Sequence, residues 1–367
     1  DLRRYSSTSA YSTYLEVHSR FGYDGAGRLQ SITHSKAEIA AGQMWNGTST
    51  LPSSLQNGNL LAGYYLAYDQ DNRLTGWSSY ADAFKTTYAY DNRDQVTGAT
   101  HTTIAGHTLP RALPAAESYA FDGTGNRNLA GGSSSSADGS FNQVQNDGTY
   151  TYDYDAEGNQ IRRTSIATGA VTEYEFDYRN RLVKVTERAS AGGAATKIVT
   201  FQYDAFDRRT GKQLDSDANG TIDRREAWVW DGQQVVLQLV DADGAGSGAW
   251  KLTNRYLYGD IVDMVLADEQ LPGGGIGLTS VSYTNGTTLW PLADHLGSVR
   301  DLVDNNGRIR EHVVYSSFGL RLSESDWDAN GNPIASSNPA AVDHLFGYTG
   351  REWDSDVELQ YNRARWY

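Results

Sequence analysis

Residues 215–226 have the residue types and spacing of a twelve-residue calcium loop. Six ligand residues are predicted: Asp215, Asp217, Asn219 and Glu226 through their side chains, Glu226 with both oxygens, Thr221 through its carbonyl, and Asp223 directly or through water. Gly220 stands where such a loop turns most sharply. The flanking segments are strand-like rather than helical, so the sequence predicts a calcium-clamped loop between two strands.

The alternative for this segment is an acidic turn that binds nothing. Carboxylates spaced this closely repel one another unless a cation compensates them, which favours the calcium interpretation. Two shorter acidic stretches, 241–246 and 326–331, lack some of the required ligands and are weaker metal candidates.

Asp294, His295 and Ser298 are a second set of side chains with possible chemistry, because they could supply an acid, a base and a nucleophile. Adjacent residues of a strand point to opposite faces, so Asp294 would not orient the His295 ring without a special turn. We therefore expect a structural role for these residues and no enzymatic activity in this chain. A polymer-degrading enzyme is the least favoured alternative, since no motif singles out a carboxylate pair.

Composition excludes several further classes of function. The chain has no cysteine, which excludes disulfides, thiolate zinc sites and cysteine nucleophiles. Its formal net charge of −14 argues against nucleic acid or anionic lipid as a partner, since both need clustered lysine and arginine. No apolar run approaches the roughly twenty residues that span a bilayer, so no membrane span is predicted.

A short repeated motif indicates which elements must position these residues. Each copy is an aromatic residue followed by Asp, a few small or polar residues, Gly or Asn, and usually Arg with an apolar residue. The copies begin at Tyr23-Asp24 (with Gly27 and Arg28), Tyr68-Asp69 (with Arg73), Tyr90-Asp91, Phe121-Asp122, Tyr154-Asp155 (with Gly158), Phe176-Asp177 (with Arg181) and Tyr203-Asp204. The shortest intervals between successive Asp residues are 22 residues, which is about the length of one hairpin.

Each copy predicts a strand, a tight turn and a second strand. Gly or Asn belongs in the turn because a tight turn needs a residue that tolerates positive φ. The stretches after the turns alternate with period two, as in residues 181–186, so one face of each hairpin can pack while the other meets water. The repeats therefore predict an all-β chain of stacked antiparallel hairpins.

The repeat aromatics could form a sugar-stacking ladder, but equal spacing on successive hairpins is explained more simply by a packing seam. The repeat Asp and Arg are expected to bond to backbone groups and to each other between neighbouring hairpins.

This motif resembles the YD repeat of the RHS family, which bacterial RHS proteins share with toxin-complex C subunits and the animal teneurins. Three later blocks, at 291–319, 346–352 and 361–367, resemble the RHS-associated core in the order expected of it. The first block contains Asp294, His295, Leu296, Gly297, Ser298 and Arg300. The resemblance implies a YD-repeat array over residues 1–290, the range in which the predicted calcium loop lies, and an RHS-associated core over residues 291–367.

Family resemblance also implies that the hairpins spiral into a barrel-like hollow shell around a C-terminal polypeptide cargo, often a toxin. The implied protein is secreted or on the cell surface, and its partners are its own cargo and further repeats of a longer chain. Because the family core continues into an aspartyl self-cleavage segment, we expect this chain to be a piece that stops before it. The alternative is an extracellular adhesion or glycan-binding scaffold.

Overall fold

The computed structural model describes residues 2–5, 16–39, 42–110, 112–128, 143–244, 246, 250–271, 275–278, 286–338, 340–363 and 365–367. Its strands are β1 Leu2–Tyr5, β2 Glu16–Tyr23, β3 Leu29–Ser35, β4 Leu60–Tyr68, β5 Leu74–Ser79, β6 Phe84–Tyr90, β7 Val96–Thr103, β8 Glu117–Ser118, β9 Ala120–Phe121, β10 Arg127–Asn128, β11 Tyr150–Tyr154, β12 Gln160–Ser165, β13 Val171–Phe176, β14 Leu182–Arg188, β15 Ala195–Tyr203, β16 Arg209–Asp215, β17 Arg224–Asp231, β18 Gln234–Asp241, β19 Lys251–Tyr258, β20 Val265–Gln270, β21 Ile276–Gly277, β22 Thr287–Ala293, β23 Val299–Val303, β24 Ile309–Tyr315, β25 Arg321–Trp327, β26 Pro333–Ile334, β27 Glu352–Asp354 and β28 Leu359–Tyr361.

The predicted all-β antiparallel fold is confirmed. Within the ranges given above there is no α-helix, and two single 3-10 turns occur at Ser53–Leu55 and Tyr348–Gly350. No helix in this part of the chain is long and apolar enough to cross a membrane.

The repeat turns share one backbone geometry. In six copies the aromatic residue pairs with the residue six positions later, directly after a shift in strand register, as Tyr68 does with Leu74. The third residue after each repeat Asp has positive φ, for example 66° at Asn72 and 88° at Gly158. This backbone requirement explains the Gly or Asn of the motif.

The chain divides into two compact units, and unit 1 comprises residues 1–118, 258–268 and 287–350. It holds an eight-stranded sheet in which β1 to β8 follow sequence order, and a second run in which β20 is followed by β22 to β26. Its core includes Tyr64, Trp77, Trp290 and Leu292, all at most 5% exposed.

Unit 2 comprises residues 119–257, 269–286 and 351–367. Strands β11 to β19 pair in sequence order, while β9 with β10 and β27 with β28 form separate two-stranded sheets. Its core includes Val199, Phe201, Leu214 and Val357. The predicted domain boundary between residues 290 and 291 was placed by family motifs, whereas the two units above are defined by compactness. That boundary stays a prediction.

Candidate functional site

The predicted calcium loop connects β16 to β17 in unit 2. Asp215 is the last residue of β16, and its side chain is buried. Carboxylate oxygens of Asp215, Asp217 and Asp223 lie within 4.8 Å of one another. The structure thus brings together three of the six predicted ligands.

Donors of the loop itself surround these carboxylates. Asp215 accepts from the backbone N–H groups of Asn219 at 3.1 Å and Gly220 at 2.8 Å. The backbone N–H and the hydroxyl of Ser216 donate to Asp223 at 2.7 and 2.5 Å, and the hydroxyl bond above all lowers the pKa of Asp223. The backbone N–H of Thr221 donates to the side-chain oxygen of Asn219 at 2.8 Å. The oxygens of the loop are therefore already held in a compact arrangement.

Glu226, the predicted closing ligand, does not join this arrangement. Strand β17 begins at Arg224, and its register places Glu226 opposite Lys212 of β16. The Glu226 carboxylate lies 3.2 Å from Lys212 Nζ and 3.0 Å from Arg224, and it accepts from Gln238 Nε2 at 3.3 Å. The expectation that Glu226 closes the loop therefore differs from the structure, because strand pairing draws its side chain to cationic partners.

Lys212 is the centre of a buried ion cluster that the sequence did not reveal. Its ammonium nitrogen lies 2.9 Å from Asp354 and 2.5 Å from Asp356, and Asp354 also binds Arg209 at 2.9 Å. Burial alone would lower the pKa of Lys212, but Glu226, Asp354 and Asp356 together raise it above its usual value. The cluster joins β27 of the predicted core to strand β16 of the repeats, 142 residues away in sequence.

The repeat motif forms one recurring set of hydrogen bonds. Asp24 Oδ1 accepts from the backbone N–H groups of Ala26 and Arg28, both at 2.9 Å, and Asp24 Oδ2 accepts from Arg28 Nε at 2.7 Å. The same carboxylate-to-guanidinium bond occurs in Asp69/Arg73, Asp177/Arg181 and Asp204/Arg208, and we call these four pairs the Asp–Arg ladder. In the turns at Asp122 and Asp155 an Asn side chain replaces the Arg.

Ladder arginines also reach the next hairpin. Arg28 donates to the carbonyl of Asp69 at 2.9 Å, and its guanidinium carbon lies 4.8 Å from the centre of the Tyr68 ring. The Tyr68 hydroxyl donates back to the carbonyl of Leu29 at 2.7 Å. Similar contacts join Arg73 to Tyr90, and Arg181 to Asp204 and Tyr203. The repeats that contain these arginines are thus each connected to the next hairpin.

The predicted core motif forms the same kind of turn in a buried setting. Asp294 Oδ1 accepts from the backbone N–H groups of Leu296 at 2.9 Å and Ser298 at 3.0 Å, and Gly297 has a φ of 78°. Asp294 Oδ2 accepts from Arg300 Nε at 2.6 Å, and the two side chains are 0% and 3% exposed. Burial would raise the pKa of Asp294, but Arg300 lowers it below the usual value.

Asp294, His295 and Ser298 do not form a catalytic relay. The Asp294 carboxylate is bound by Arg300, and the Ser298 hydroxyl accepts from the backbone N–H of Thr349 at 3.0 Å. The His295 ring lies 5.5 Å from the ring of Trp77, and burial lowers the pKa of His295. The turn therefore positions all three groups for packing and hydrogen bonding rather than for proton transfer among themselves.

A buried carboxylate–imidazole–carboxylate group was not detectable from the sequence. His312 Nδ1 lies 2.6 Å from Asp301 and His312 Nε2 lies 2.9 Å from Asp82, which is 230 residues away. Burial would lower the pKa of His312, but the two carboxylates raise it to about 9. Asp301 and His312 border a cleft of about 510 Å³. Because carboxylates engage both ring nitrogens, the imidazolium is better suited to hold unit 1 together than to accept a proton.

The fold and its turns are those of a β-hairpin repeat protein. A family model described as Teneurin YD-shell matches residues 55–221. Among curated proteins, the tRNA3(Ser)-specific nuclease WapA of Bacillus spizizenii is 28% identical over 260 residues, which is 68% of this chain and 9% of that protein. The probable deoxyribonuclease RhsB of Dickeya dadantii is 26% identical over 235 residues, covering 61% of this chain and 13% of that protein.

These matches confirm the predicted resemblance to the RHS/YD-repeat family. The chain spans only about a tenth of the length of these curated relatives. Among solved structures, the crystal structure of TcdB2–TccC3–TEV is 16% identical with a TM-score of 0.46, covering 95% of this chain and 19% of that chain.

Proposed function

We propose that this chain is a wall segment of an RHS/YD-repeat protein that encloses a C-terminal polypeptide cargo, a toxin or effector, outside the cell. The observation that carries the proposal is the Asp–Arg ladder, in which Arg28, Arg73 and Arg181 each join one repeat turn to the following turn. A wall built this way can be extended without any binding site for what it encloses. Curated relatives named as nucleases, many times longer than this chain, support a cargo with toxic activity.

The test is an electron-microscopy reconstruction of the full-length protein that contains this chain, with the density inside the wall examined for polypeptide. A matched version lacks everything after Tyr367. Interior density that disappears in the shortened protein is the expected result. An interior that is the same in both proteins would refute enclosure.

A second candidate is an extracellular adhesion or glycan-binding scaffold, which the match of residues 55–221 to the teneurin YD-shell model favours. In that case the hairpins are support and the loops between them contact other molecules. Unchanged interior density together with binding of the shortened protein to glycans or cells would favour this alternative.

We further propose that the loop after β16 binds one structural calcium ion. Asp215, Asp217 and Asp223 would supply carboxylate oxygens, with Asn219 and the Thr221 carbonyl completing the protein ligands. Three clustered carboxylates support this assignment, because an oxygen-rich site of this charge suits a hard cation. Glu226 keeps its contacts to Lys212 and Arg224 in this proposal, so water would fill the remaining positions.

Calcium at a hundredfold excess over its dissociation constant should stabilise unit 2 by about 2.7 kcal/mol. Calorimetric melts with calcium and with chelator measure this difference. The double variant Asp217→Asn/Asp223→Asn should lose most of it, whereas Glu157→Gln, an exposed turn carboxylate, should behave as wild type. If chelator does not change the melting temperature of the wild-type protein, the loop is an acidic turn that binds no calcium.

A further inference from the structure

Three carboxylates gather on the hairpin formed by β24 and β25 in unit 1. Glu311 and Asp326 are direct partners in the strand register, and Glu324 lies two residues before Asp326 on the same face. Oxygens of all three lie within 4.8 Å of one another. Glu311 is 7% exposed and Asp326 is 2% exposed, so this is not an ordinary solvated acidic patch.

Basic side chains on this face of the hairpin do not balance the acidic ones. Arg321 lies 2.7 Å from Glu324 and 3.9 Å from Glu311. A register shift next to Tyr315 brings Arg321 to the side of the carboxylates. Two guanidinium groups act on these three carboxylates, Arg321 at close range and Arg310 at longer range, so the acidic groups outnumber the basic ones in a largely buried place.

Asp326 gives an independent indication of a missing partner. Its Oδ2 accepts a hydrogen bond from the Ser336 hydroxyl, while its buried Oδ1 has no donor among the described residues. Buried carboxylate oxygens normally have donors or a metal ion, so this one requires an explanation.

We propose that Glu311, Glu324 and Asp326 form a binding site for a hard divalent cation of the calcium type. Calcium binds oxygen at 2.3–2.6 Å, so two ligands on opposite sides of the ion lie at most about 5 Å apart, as these oxygens do. An all-carboxylate set suits calcium better than zinc or copper, which favour nitrogen and sulfur ligands. Binding draws Glu324 from Arg321 toward the ion.

This site differs from the weak candidate at 326–331 that the sequence suggested. Asp328 forms a repeat-type turn instead, accepting from the backbone N–H groups of Asn330 at 2.8 Å and Asn332 at 2.9 Å. Asp326 belongs to strand β25 and faces Glu311. The ligands therefore come from two paired strands, a pattern that no loop motif describes.

Calcium titration by calorimetry tests the site in the full chain carrying Asp217→Asn/Asp223→Asn, which removes the loop carboxylates proposed above. One calcium ion should still bind in this background. Adding Glu324→Gln should weaken that binding at least about tenfold, the lower end of the loss seen even for outer-shell partners of a metal. Terbium luminescence sensitised through Trp327, next to Asp326, should fall in parallel.

Glu175→Gln is the matched control, because Glu175 is an exposed strand glutamate paired with a basic side chain, Lys184, at 2.8 Å. It should leave calcium binding unchanged. Glu324 is itself exposed, so Glu324→Gln should fold, and circular dichroism verifies this. Absence of calcium binding at millimolar concentration in the loop-deficient background would overturn the proposal and leave protons as the compensating charge. Equal binding by Glu324→Gln and Glu175→Gln would overturn it as well.

Discussion

The repeat turns and the core turn use the same hydrogen bonds in opposite surroundings. In Asp69/Arg73 the two side chains are 23% and 31% exposed, whereas in Asp294/Arg300 they are 0% and 3% exposed. The repeat arginine extends to the next turn, while Arg300 lies between the rings of Trp77 at 4.7 Å and Tyr315 at 5.5 Å. One chemical motif therefore serves both as a connector at the surface and as an ion pair inside a core.

This difference determines how stability is distributed. Exposed pairs each contribute little, since water and salt screen them, so the ladder gains its strength from repetition. A buried pair is sensitive to loss of either partner, because the remaining charge has no water to replace it. We expect single substitutions to be tolerated in the ladder and not in the core turn.

The largest effect is expected for Asp294→Ala. This substitution leaves Arg300 buried without its carboxylate and should destabilise unit 1 by about 3–5 kcal/mol. Asp69→Ala in the ladder should have no more than about a third of that effect, because water reaches its partner. Urea unfolding, followed by both circular dichroism and tryptophan fluorescence, measures both variants.

If Asp294→Ala fails to fold, Asp294→Asn provides the comparison, since its amide oxygen keeps the acceptor for Leu296 and Ser298 while the charge and the oxygen that accepts from Arg300 are lost. Equal stability losses in Asp294→Asn and Asp69→Asn would show that burial does not distinguish the two turns.

The second prediction concerns alkaline pH and the buried His312. Its folded pKa of about 9 lies above the ordinary value of 6.5. A raised pKa means that the stabilisation is complete below pH about 6.5 and is lost as pH rises through about 9. Unit 1 should lose roughly 2–3 kcal/mol across this range. His312→Gln should be less stable at neutral pH but should show a flatter pH profile.

The ladder sharpens this pH comparison. Hydrogen bonds from Arg181 offset the effect of burial and lower the pKa of Asp177, so the carboxylate stays ionised at alkaline pH. Its contribution is lost only in acid, as pH falls through the ordinary value of 3.8 and below.

His107→Gln is the control for His312→Gln, because the His107 ring packs edge-on against an aromatic ring, that of Tyr80 at 5.4 Å, whereas the His312 ring lies between two carboxylates. An alkaline loss of stability that persists in His312→Gln would contradict the assignment.

A smaller effect is expected for Arg181→Lys in the ladder. Lysine keeps the charge but cannot bind Asp177 while also reaching the carbonyl of Asp204, which Arg181 does at 3.1 Å. The expected loss is about 1 kcal/mol, measured as a lower melting temperature of unit 2. A lysine variant as stable as wild type would mean that the charge suffices and the connection between hairpins adds nothing.

The comparison also separates what the sequence predicts from what it does not. Hairpins and their turns were predictable because the Asp, the Gly or Asn and the Arg lie within five residues of one another. The buried groups were not, since Asp82 and His312 are 230 residues apart and only strand pairing brings them together. Glu226 shows the same limit: the loop spacing indicated a metal ligand, whereas the register of β17 placed it against Lys212. Long-range pairing therefore decides the role of a charged residue whose local motif is ambiguous.

The smallest effect is expected for Tyr90→Phe, which tests what the aromatic residue of the motif contributes to the ladder. The Tyr90 hydroxyl donates to the carbonyl of Leu74 at 2.6 Å, while the ring lies beneath Arg73 at 5.4 Å. Phenylalanine keeps the ring and removes the hydrogen bond, so the loss should be about 0.5 kcal/mol, at the low end for one bond. Tyr178→Phe, at a position 91% exposed, should change nothing. If Tyr90→Leu loses no more stability than Tyr90→Phe, the ring contributes only through the apolar area that it buries. If the leucine variant loses more, the difference measures the stacking of the Arg73 guanidinium on the Tyr90 ring, which is a contact between one repeat and the next.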